Sequence, residues 1–449
     1  MPGMTRRLFG TDGVRGIAGR APMSAEVAFA LGRATSERLR ETLARPPRVV
    51  LGMDTRRSGP MLGHAFTAGA VSRGAHVTSA GVVPTPGVSF LTRHLGADAG
   101  VVVSASHNPF EDNGIKIFGP GGQKLADDEE AAIERWLDAG EDAYAEVTGD
   151  AIGVSDRYRR EKGEYRAFLL QHAPYLDGLR VGLDCAEGAA SQLAPDVFRR
   201  IGARVHAIHD RPDGRNINVA CGSTHPASIR DHVLRNGLDV GVTFDGDADR
   251  GLLVDRKGRL VTGDHVLAIV ARVRGERELV ATVMTNLGIE RWLAERGVTV
   301  HRTQVGDRYV LSELHRRGLR LGGEASGHVL FLDKAPTGDG ILTALQALAA
   351  VRASGRPLEA WMDEIPSYPQ VLRNVPVATG RKNEAARHPE VLAAVADVEA
   401  DLGDEGRVNL RPSGTEPLVR VMVEGADEAR VDAVARRLAE VVQRVGAGA

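Results

Sequence analysis

Three aspartates stand at alternate positions in VGVTFDGDADRGLLVD (240–255), between two apolar runs that predict buried strands. They are Asp245, Asp247 and Asp249. Carboxylates this close repel one another unless a cation lies among them, and oxygen-only ligation favours Mg²⁺, Ca²⁺ or Mn²⁺. An EF-hand is excluded, because Arg250 and Arg256 occupy its invariant glycine and closing glutamate positions. A lone Asp-x-Asp is more often an acidic surface turn, but the third aspartate and the flanking strands favour a metal site.

A serine follows a second predicted strand, in VVVSASHNPFEDNGIKIFG (101–119). Asn108-Pro109 forces a turn, which leaves Ser106 exposed at the end of the strand. The chain contains no GxSxG elbow, and no base stands in an arrangement that suits acyl transfer. Beside a metal site and a phosphate-binding loop, Ser106 is better explained as a carrier of phosphate.

A phosphate-binding loop is predicted in VNLRPSGTEPLVRVMVEG (408–425). Backbone N–H groups and hydroxyls of such a loop bind phosphate, and arginine side chains add charge. The candidates are Arg411, Ser413, Gly414, Thr415 and Arg420. The loop is not a Walker motif, since GxxxxGK[ST] is absent from the chain, and a plain hairpin connection is an equally good interpretation of the segment alone.

Two further segments carry weaker signals. In GGEASGHVLFLD (322–333), Glu324 and Ser326 have the groups that hold vicinal sugar hydroxyls, and His328 is either a proton shuttle or a structural turn residue. The glycine-rich segments LFGTDGVRG (8–16) and DTRRSG (54–59) fit simple turns, and Arg15 is the better functional candidate in them.

These loops follow a weak threefold repeat of strand, helix and strand. The first strands lie in PPRVVLGMD, DGLRVGLD and ERELVATVMTN, and the second strands in RGAHVTSAG, IGARVHAIH and RGVTVHRTQ. Such alternation predicts three related α/β domains with mainly parallel sheets, whose polar loops line one shared site. The segment 139–156 is predicted to be a linker, and 356–370 leads to a last domain.

Composition excludes several classes of protein. The 449-residue chain has a net charge of −2, so no global field recruits nucleic acid or an acidic membrane. Its two cysteines, Cys185 and Cys221, show no metal-ligand spacing and fit a reducing cytosol. The N-terminus lacks a secretory signal and no run is long and apolar enough to span a bilayer, so a cytoplasmic protein is expected.

In combination the motifs closely resemble the α-D-phosphohexomutases, whose four signature loops are similar to SASHNP, FDGDADR, GGEASGH and RPSGTEP in this order. LFGTDGVRG, VGDRYV (305–310) and TGDG (337–340) resemble the bacterial branch that acts on glucosamine phosphates. The resemblance covers Leu8 to about Gly425, and no matched metal or phosphoserine position departs from the pattern.

The resemblance implies four domains in a heart shape around a central cleft. Three are related α/β domains with mixed sheets flanked by helices, and the fourth is a smaller C-terminal α+β domain. The predicted boundaries are 1–155 with the phosphoserine loop, 156–256 with the metal loop, 257–368 with the sugar loop and 369–449 with the phosphate loop.

The resemblance also implies interconversion of glucosamine 6-phosphate and glucosamine 1-phosphate, on the route to UDP-N-acetylglucosamine. Ser106 would be the phosphoserine and, with the three aspartates, would hold Mg²⁺. The other implied catalytic residues are Lys116 as general acid/base, Arg15 and His328. Those implied to bind substrate are Glu324, Ser326, Arg250, Arg411, Ser413, Gly414, Thr415 and Arg420.

The implied activator or intermediate is glucosamine or glucose 1,6-bisphosphate, and the partner is a small sugar phosphate, with neither nucleic acid nor membrane. Assembly into a homodimer is left open. The nearest alternative is a phosphoglucomutase or phosphomannomutase of the same superfamily. Two alternatives of other classes are a metal-dependent phosphatase, phosphorylated on Asp245, and a sugar-phosphate binding protein that would not need Ser106.

Overall fold

The computed structural model describes residues 8–10, 12–140, 143–158, 160–378, 380–413 and 417–447, and within them the chain forms four sheets flanked by helices. None of the described helices is long and apolar enough to cross a membrane.

The first sheet has the strand order β1-β5-β4-β2-β3-β6. Its strands are β1 (Val14–Ile17), β2 (Arg48–Met53), β3 (His76–Val82), β4 (Ala99–Val103), β5 (Asp112–Phe118) and β6 (Ser155–Arg157). The helices of this part of the chain are α1 (Ala25–Arg40), α2 (Gly59–Val71), α3 (Thr85–His94) and α4 (Asp127–Asp138). Every residue of β4 is buried, as expected for a continuous apolar run with helices on both faces of the sheet.

The second sheet has the order β11-β10-β9-β7-β8. It contains β7 (Arg180–Asp184), β8 (Arg204–Ile208), β9 (Val240–Phe244), β10 (Gly251–Asp255) and β11 (Leu260–Val261). Its helices are α5 (Glu161–Gln171), α6 (Leu193–Arg200) and α7 (Ala227–Asn236).

The third sheet has the order β13-β12-β14-β15. It contains β12 (Glu278–Thr282), β13 (Thr299–Thr303), β14 (Leu321–Gly323) and β15 (Val329–Phe331). The helices that follow in chain order are α8 (Gly263–Arg274), α9 (Leu287–Glu295), α10 (Asp307–Arg317), α11 (Gly340–Ala353) and α12 (Leu358–Glu364).

The predicted repeat is present in these three sheets. Each repeat has four consecutive strands: β2 to β5, β7 to β10, and β12 to β15. In each repeat the first strand lies between the second and third strands and is parallel to both, and the fourth strand pairs antiparallel with the third. The connections from third to fourth strand, β4–β5, β9–β10 and β14–β15, carry SASHNP, DGDAD and EASGH. The same topological position therefore supplies three of the predicted functional loops.

The fourth sheet is antiparallel, with the order β16-β18-β17. Its elements are β16 (Gln370–Pro376), α13 (Lys382–Ala386), α14 (Pro389–Leu402), β17 (Gly406–Pro412), β18 (Leu418–Gly425) and α15 (Glu428–Ala447). Its apolar core is separate from those of the other sheets and includes Val398, Val421 and Leu438. The predicted fold class, three related α/β domains with mixed sheets and a smaller α+β domain, is confirmed.

Two short strands lie close to predicted domain boundaries. β6, inside the segment predicted to be a linker, pairs with β3, so a boundary after residue 155 cuts this strand. β11 pairs with β10, although it follows the boundary placed after residue 256. Both strands are at most three residues long and carry little periodicity, which explains why the pattern did not indicate them. The four boundaries stay predictions.

Candidate active site

Ser106 lies in the β4–β5 connection with its backbone in the left-handed region, at φ 52°. Its hydroxyl donates to Oδ2 of Asp245 at 2.5 Å and lies 3.2 Å from Nδ1 of His107. The expectation of an exposed side chain is wrong, because Ser106 is only 1 % exposed. The strand end does present the serine outward, but the metal loop of the second sheet covers it.

Arg56 binds the backbone of the serine loop, and its side chain is fully buried. Its guanidinium donates to the carbonyls of Ser106 (2.8 Å), Asn108 (2.8 Å) and Pro109 (2.5 Å). Asp54 pairs with Arg56 at 2.9 Å. Three carbonyls bound by one charged fork hold the loop in a single conformation.

A second support comes from the other sheet. The side-chain amide of Asn218 donates to the carbonyls of Ser106 (2.9 Å) and Asn108 (3.1 Å). A Cβ on Gly246 would lie 2.7 Å from the Ser106 carbonyl oxygen, so only glycine permits this approach. The serine and metal loops therefore form one packed unit.

The three aspartates of the β9–β10 connection converge, with one carboxylate oxygen of each lying within 4.8 Å of the others. All three are buried. Thr85 at the start of α3 donates to Oδ2 of Asp247 at 2.7 Å. Oδ1 of Asp247 and Oδ1 of Asp249 are buried and have no hydrogen-bond partner. Buried carboxylate oxygens without a partner, in a group of aspartates this close together, fit a divalent cation.

The pKa shifts of these aspartates also indicate that positive charge stabilises the cluster. Burial, together with the charges of Asp249 and Asp247, raises the pKa of Asp245 well above its usual range. Burial also opposes ionisation of Asp249, but Lys116, His328 and Arg250 lower the pKa of that carboxyl overall. A bound cation would favour the ionised form of all three carboxyls.

Lys116 on β5 brings one positive charge into the cluster. Its ammonium lies 3.1 Å from Oδ2 of Asp247, 3.8 Å from Oδ2 of Asp249 and 3.1 Å from Oδ2 of Asp12. Burial alone would lower the pKa of Lys116, but these three carboxylates raise it well above the usual value. Arg15 on β1 pairs with Asp12, so both predicted cations share one carboxylate beside the aspartates.

His328, at the start of β15, lies between the metal loop and α10. Its Nδ1 is 3.7 Å from Oδ2 of Asp249 and its Nε2 is 3.7 Å from Oδ2 of Asp307. Burial opposes protonation of His328, but Asp249 and Asp307 raise its pKa. Lys124 bridges Asp12 and Asp307, at 2.5 Å from each, and so joins the first sheet to the third.

The predicted sugar loop lies on the other side of His328. Oε1 of Glu324 accepts a hydrogen bond from the Gly306 amide at 2.9 Å, and the half-buried Ser326 hydroxyl has no partner. Arg250 approaches Oδ1 of Asp249 at 3.9 Å. Burial opposes its charge, but the carboxylates of Asp249, Asp245 and Glu324 raise the pKa of Arg250, which places this arginine between the metal and sugar loops.

The predicted phosphate loop connects β17 and β18, so it is a hairpin as well as a binding candidate. Arg411 and Arg420 are directly opposite each other in the register. Like charges in such a pair are unfavourable unless an anion lies between them. Burial and the charge of Arg420 lower the pKa of Arg411. Ser413 is buried at the end of the pair, whereas Gly414 and Thr415 lie outside the described residues.

Several neighbours of these residues were not indicated by sequence. Arg56 and Asp54 are in a segment interpreted as a turn, and Asn218 and Lys124 belong to no motif that was singled out. Asp307 lies in VGDRYV, which was singled out only for the resemblance and without a role for this aspartate. An arginine two residues after an aspartate in a glycine-rich loop was the one available signal for Arg56. The contacts themselves join sequence-distant segments, which no local pattern encodes.

Four family models match the chain, in the order in which its domains occur. They describe the phosphoglucomutase/phosphomannomutase alpha/beta/alpha domain I (residues 6–143), domain II (164–258) and domain III (262–368), and the C-terminal domain (372–441).

Similar full-length proteins are known. The phosphoglucosamine mutase of Deinococcus radiodurans is 53% identical over 444 residues, which cover 98% of this chain and 99% of the relative. The structure of a phosphoglucomutase/phosphomannomutase family protein from Burkholderia thailandensis has a TM-score of 0.82 at 24% identity, and covers 99% of this chain and 98% of its own. Aspergillus fumigatus N-acetylphosphoglucosamine mutase, in complex with GlcNAc-6P and magnesium, has a TM-score of 0.69 at 18% identity, with 98% and 96% covered.

Proposed function

Since the chain belongs to the phosphoglucomutase/phosphomannomutase family, we propose that it acts as a phosphoglucosamine mutase, which interconverts glucosamine 6-phosphate and glucosamine 1-phosphate. The resemblance noted in the motifs is thereby confirmed at the level of the family, and the chain is an enzyme of the phosphotransferring isomerase type. The choice of glucosamine over glucose or mannose rests on the full-length relatives, which bear this name at about 50% identity.

The observation that carries the mechanism is the 2.5 Å contact between Oγ of Ser106 and Asp245. It places the proposed phosphate carrier against the group of three aspartates. In phosphoryl transfer the protein contributes mainly position and charge neutralisation, and both are present here. Bound at the three aspartates, Mg²⁺ would neutralise charge on the phosphoryl oxygens as the bond to the serine breaks.

Phospho-Ser106 first gives its phosphoryl group to a hydroxyl of the bound sugar phosphate. The bond from phosphorus to Oγ breaks, a bond from phosphorus to the sugar oxygen forms, and the net proton transfer is from the sugar hydroxyl to Oγ. Lys116 is the proposed acid/base: its raised pKa keeps the ammonium protonated, so it donates a proton to Oγ and regains one from the sugar hydroxyl. His328 is the second candidate because it also lies beside Asp249. The product is glucosamine 1,6-bisphosphate, which turns over in the cleft and returns its other phosphoryl group to Ser106.

The remaining site residues hold the sugar in both orientations. Glu324 and Ser326 are proposed to bind sugar hydroxyls, and Arg250 and Arg15 to bind the phosphoryl group near the serine. Arg411, Ser413 and Arg420, with Gly414 and Thr415, are proposed to hold the phosphate that is not reacting. This last proposal is supported by the opposed arginine pair, which concentrates positive charge beside the loop.

Three finer expectations remain proposals. Magnesium is the proposed metal because the ligand atoms are all oxygen, and the bisphosphate is the proposed intermediate and activator. A cytoplasmic location is proposed from the composition and the two free cysteines.

Two measurements test the function. Turnover of glucosamine 6-phosphate should exceed that of glucose and mannose phosphates, and a preference for either of those would assign the chain to another branch of the family. Phosphopeptide mass spectrometry of the purified protein should find phosphate on Ser106. Phosphate on Asp245 would support a phosphatase, and a catalytically silent protein without phosphate would support a binding protein.

A further inference from the structure

A second cluster of metal-ligating side chains lies behind the serine loop. It consists of Asp184 at the end of β7, His209 just after β8, and Cys221 in the connection that follows. A carboxylate oxygen, a ring nitrogen and the thiol sulfur all lie within 4.8 Å of one another. The three residues are far apart in sequence, which is why their spacing resembled no metal motif.

Asp184 is the centre of this cluster. Its Oδ1 accepts from the Ala186 amide and lies 3.0 Å from Nδ1 of His209, while Oδ2 accepts from the Gly222 amide at 3.0 Å. A carboxylate offers about four lone-pair positions, so one remains unused. A metal ion could replace the proton shared with His209 without loss of the two backbone contacts.

Glu187 adds an independent sign that a cation belongs here. Its Oε2 is buried and has no hydrogen-bond partner, and its amide donates to the His209 carbonyl at 2.7 Å. Burial, and then the charges of Asp184 and Glu187, raise the pKa of the Cys221 thiol to about 12. The cluster thus concentrates negative charge, and among the described residues the ion pair of Asp184 is with His209.

We propose that Asp184, His209 and Cys221 form a binding site for Zn²⁺ or a similar thiophilic divalent cation, with the Glu187 carboxylate nearby but outside the group of three. Carboxylate, imidazole and thiolate are the ligand types that zinc takes in proteins. The set differs from the all-oxygen group at Asp245, so the two sites select different metals. On binding, the thiol proton of Cys221 leaves to solvent, and His209 binds as the neutral ring: the Nδ1 proton leaves to solvent from the protonated ring or moves to Nε2 in the neutral one. The two anionic ligands, Asp184 and Cys221, then balance the charge of the ion.

The site is coupled to the serine loop through Asn218. The Asn218 amide donates to the Ala186 carbonyl at 3.0 Å, and its side chain binds the Ser106 carbonyl. Ala186, His209, Asn218 and Gly222 all have left-handed backbones, so these turns permit few alternative conformations. The proposal itself does not depend on the mutase assignment.

Cadmium titration of the full-length protein in excess Mg²⁺ tests the proposal, because a thiolate bound to Cd²⁺ gives an ultraviolet charge-transfer band. Wild type should develop the band with a single equivalent of Cd²⁺, and added Zn²⁺ should remove it. The chain's only two cysteines provide a matched pair of variants. Cys221→Ala should lose the band, whereas Cys185→Ala, which is equally buried and one residue from Asp184, should keep it.

A further variant covers the case in which Cys221→Ala does not fold. The His209 side chain is 32% exposed and its φ is 50°, a conformation that asparagine tolerates. His209→Asn should weaken Cd²⁺ affinity by more than about tenfold, since loss of a group that only orients a ligand already costs 10- to 100-fold. Absence of the band in wild type, its survival in Cys221→Ala, its loss in Cys185→Ala, or unchanged affinity in His209→Asn would overturn the assignment.

Discussion

The serine–metal centre and the phosphate hairpin are both proposed to bind phosphate, but they are built in opposite ways. The centre is buried between two sheets, and its serine loop is bound by Arg56 and Asn218 through three backbone carbonyls. The hairpin presents two half-buried arginines, Arg411 and Arg420, on a sheet with a separate core. The serine takes part in the bond that breaks and therefore needs one fixed position. The hairpin must release and rebind either end of the substrate, so for it positive charge matters more than rigidity.

The largest effect is expected at the fixed centre. Ser106→Ala should abolish sustained mutase turnover, because it removes the only proposed phosphate carrier and leaves the metal loop and hairpin in place. The measurement is steady-state interconversion of the two glucosamine phosphates, with phosphate incorporation as a second signal. Turnover like that of wild type would refute the carrier assignment.

Asp247→Asn should lower kcat far more than it raises KM, because the metal acts on charge that develops in the transition state. Loss of a direct ligand should exceed the roughly 10- to 100-fold that follows loss of a group that only orients a ligand. Activity of the wild type should also disappear in excess chelator and return with Mg²⁺. Full activity under chelation would show that the aspartates serve another purpose.

The hairpin should respond less and differently. One charge-assisted hydrogen bond contributes about 1.5–3 kcal/mol, so Arg420→Ala should lower kcat/KM by about 10- to 150-fold. The value of kcat/KM should fall in the forward and the reverse reaction by the same factor. The fixed equilibrium between the two sugar phosphates demands this in any case, so the symmetry itself tests nothing. The informative measurement is therefore release of glucosamine 1,6-bisphosphate per turnover, which should rise, with partial rescue by added bisphosphate.

Arg373→Ala is the matched control for this variant. Arg373 is on the neighbouring strand β16, where it pairs with Asp432 at 2.6 Å. Its loss should leave bisphosphate release unchanged. If Arg420→Ala is slow yet releases no more intermediate than wild type, Arg420 is structural and the comparison between fixed centre and releasing hairpin fails.

The smallest effect is expected for Asn218→Gly. This substitution removes one of the two side chains that hold the serine loop and leaves the other, Arg56, in place. Glycine retains the left-handed backbone of this position, at φ 60°. An ordinary hydrogen bond contributes about 0.5–1.5 kcal/mol, so Asn218→Gly should lower kcat by about 2- to 13-fold with KM unchanged. A change in KM alone would show that Asn218 acts on substrate binding and not on the serine.

Much of this architecture could be predicted because its signals are local. The apolar run before SASHNP and the alternate aspartates after another apolar run indicated both strands and the loops between them, and the three sheets contain them as expected. Burial of Ser106 could not be predicted, because the covering carboxylate is 139 residues away. Arg56 resembled a turn residue for the same reason, since its three acceptors are all in another loop.

The roles of the site residues stay predictions, and the clearest limit is the cluster at Asp184. Its ligands come from the ends of two strands and from a later loop, so only the sheet brings them together. Short-range spacing identifies ligands on one turn or helix. It does not identify ligands that meet at a sheet edge.

Ser106 is positioned in part by residues that are translated after it. Its carbonyl partner Asn218, its hydroxyl partner Asp245 and the close-packed Gly246 all belong to the second sheet, which leaves the ribosome later. At about 5–20 residues per second, Asp249 follows Ser106 by roughly 7–30 s. During that interval Arg56 can already bind the serine loop, but the nascent serine lacks Asn218 and Asp245, and a fragment that stops before residue 245 never acquires Asp245. The final positioning of Ser106 is therefore a late event in the folding of each molecule, set by the order of translation.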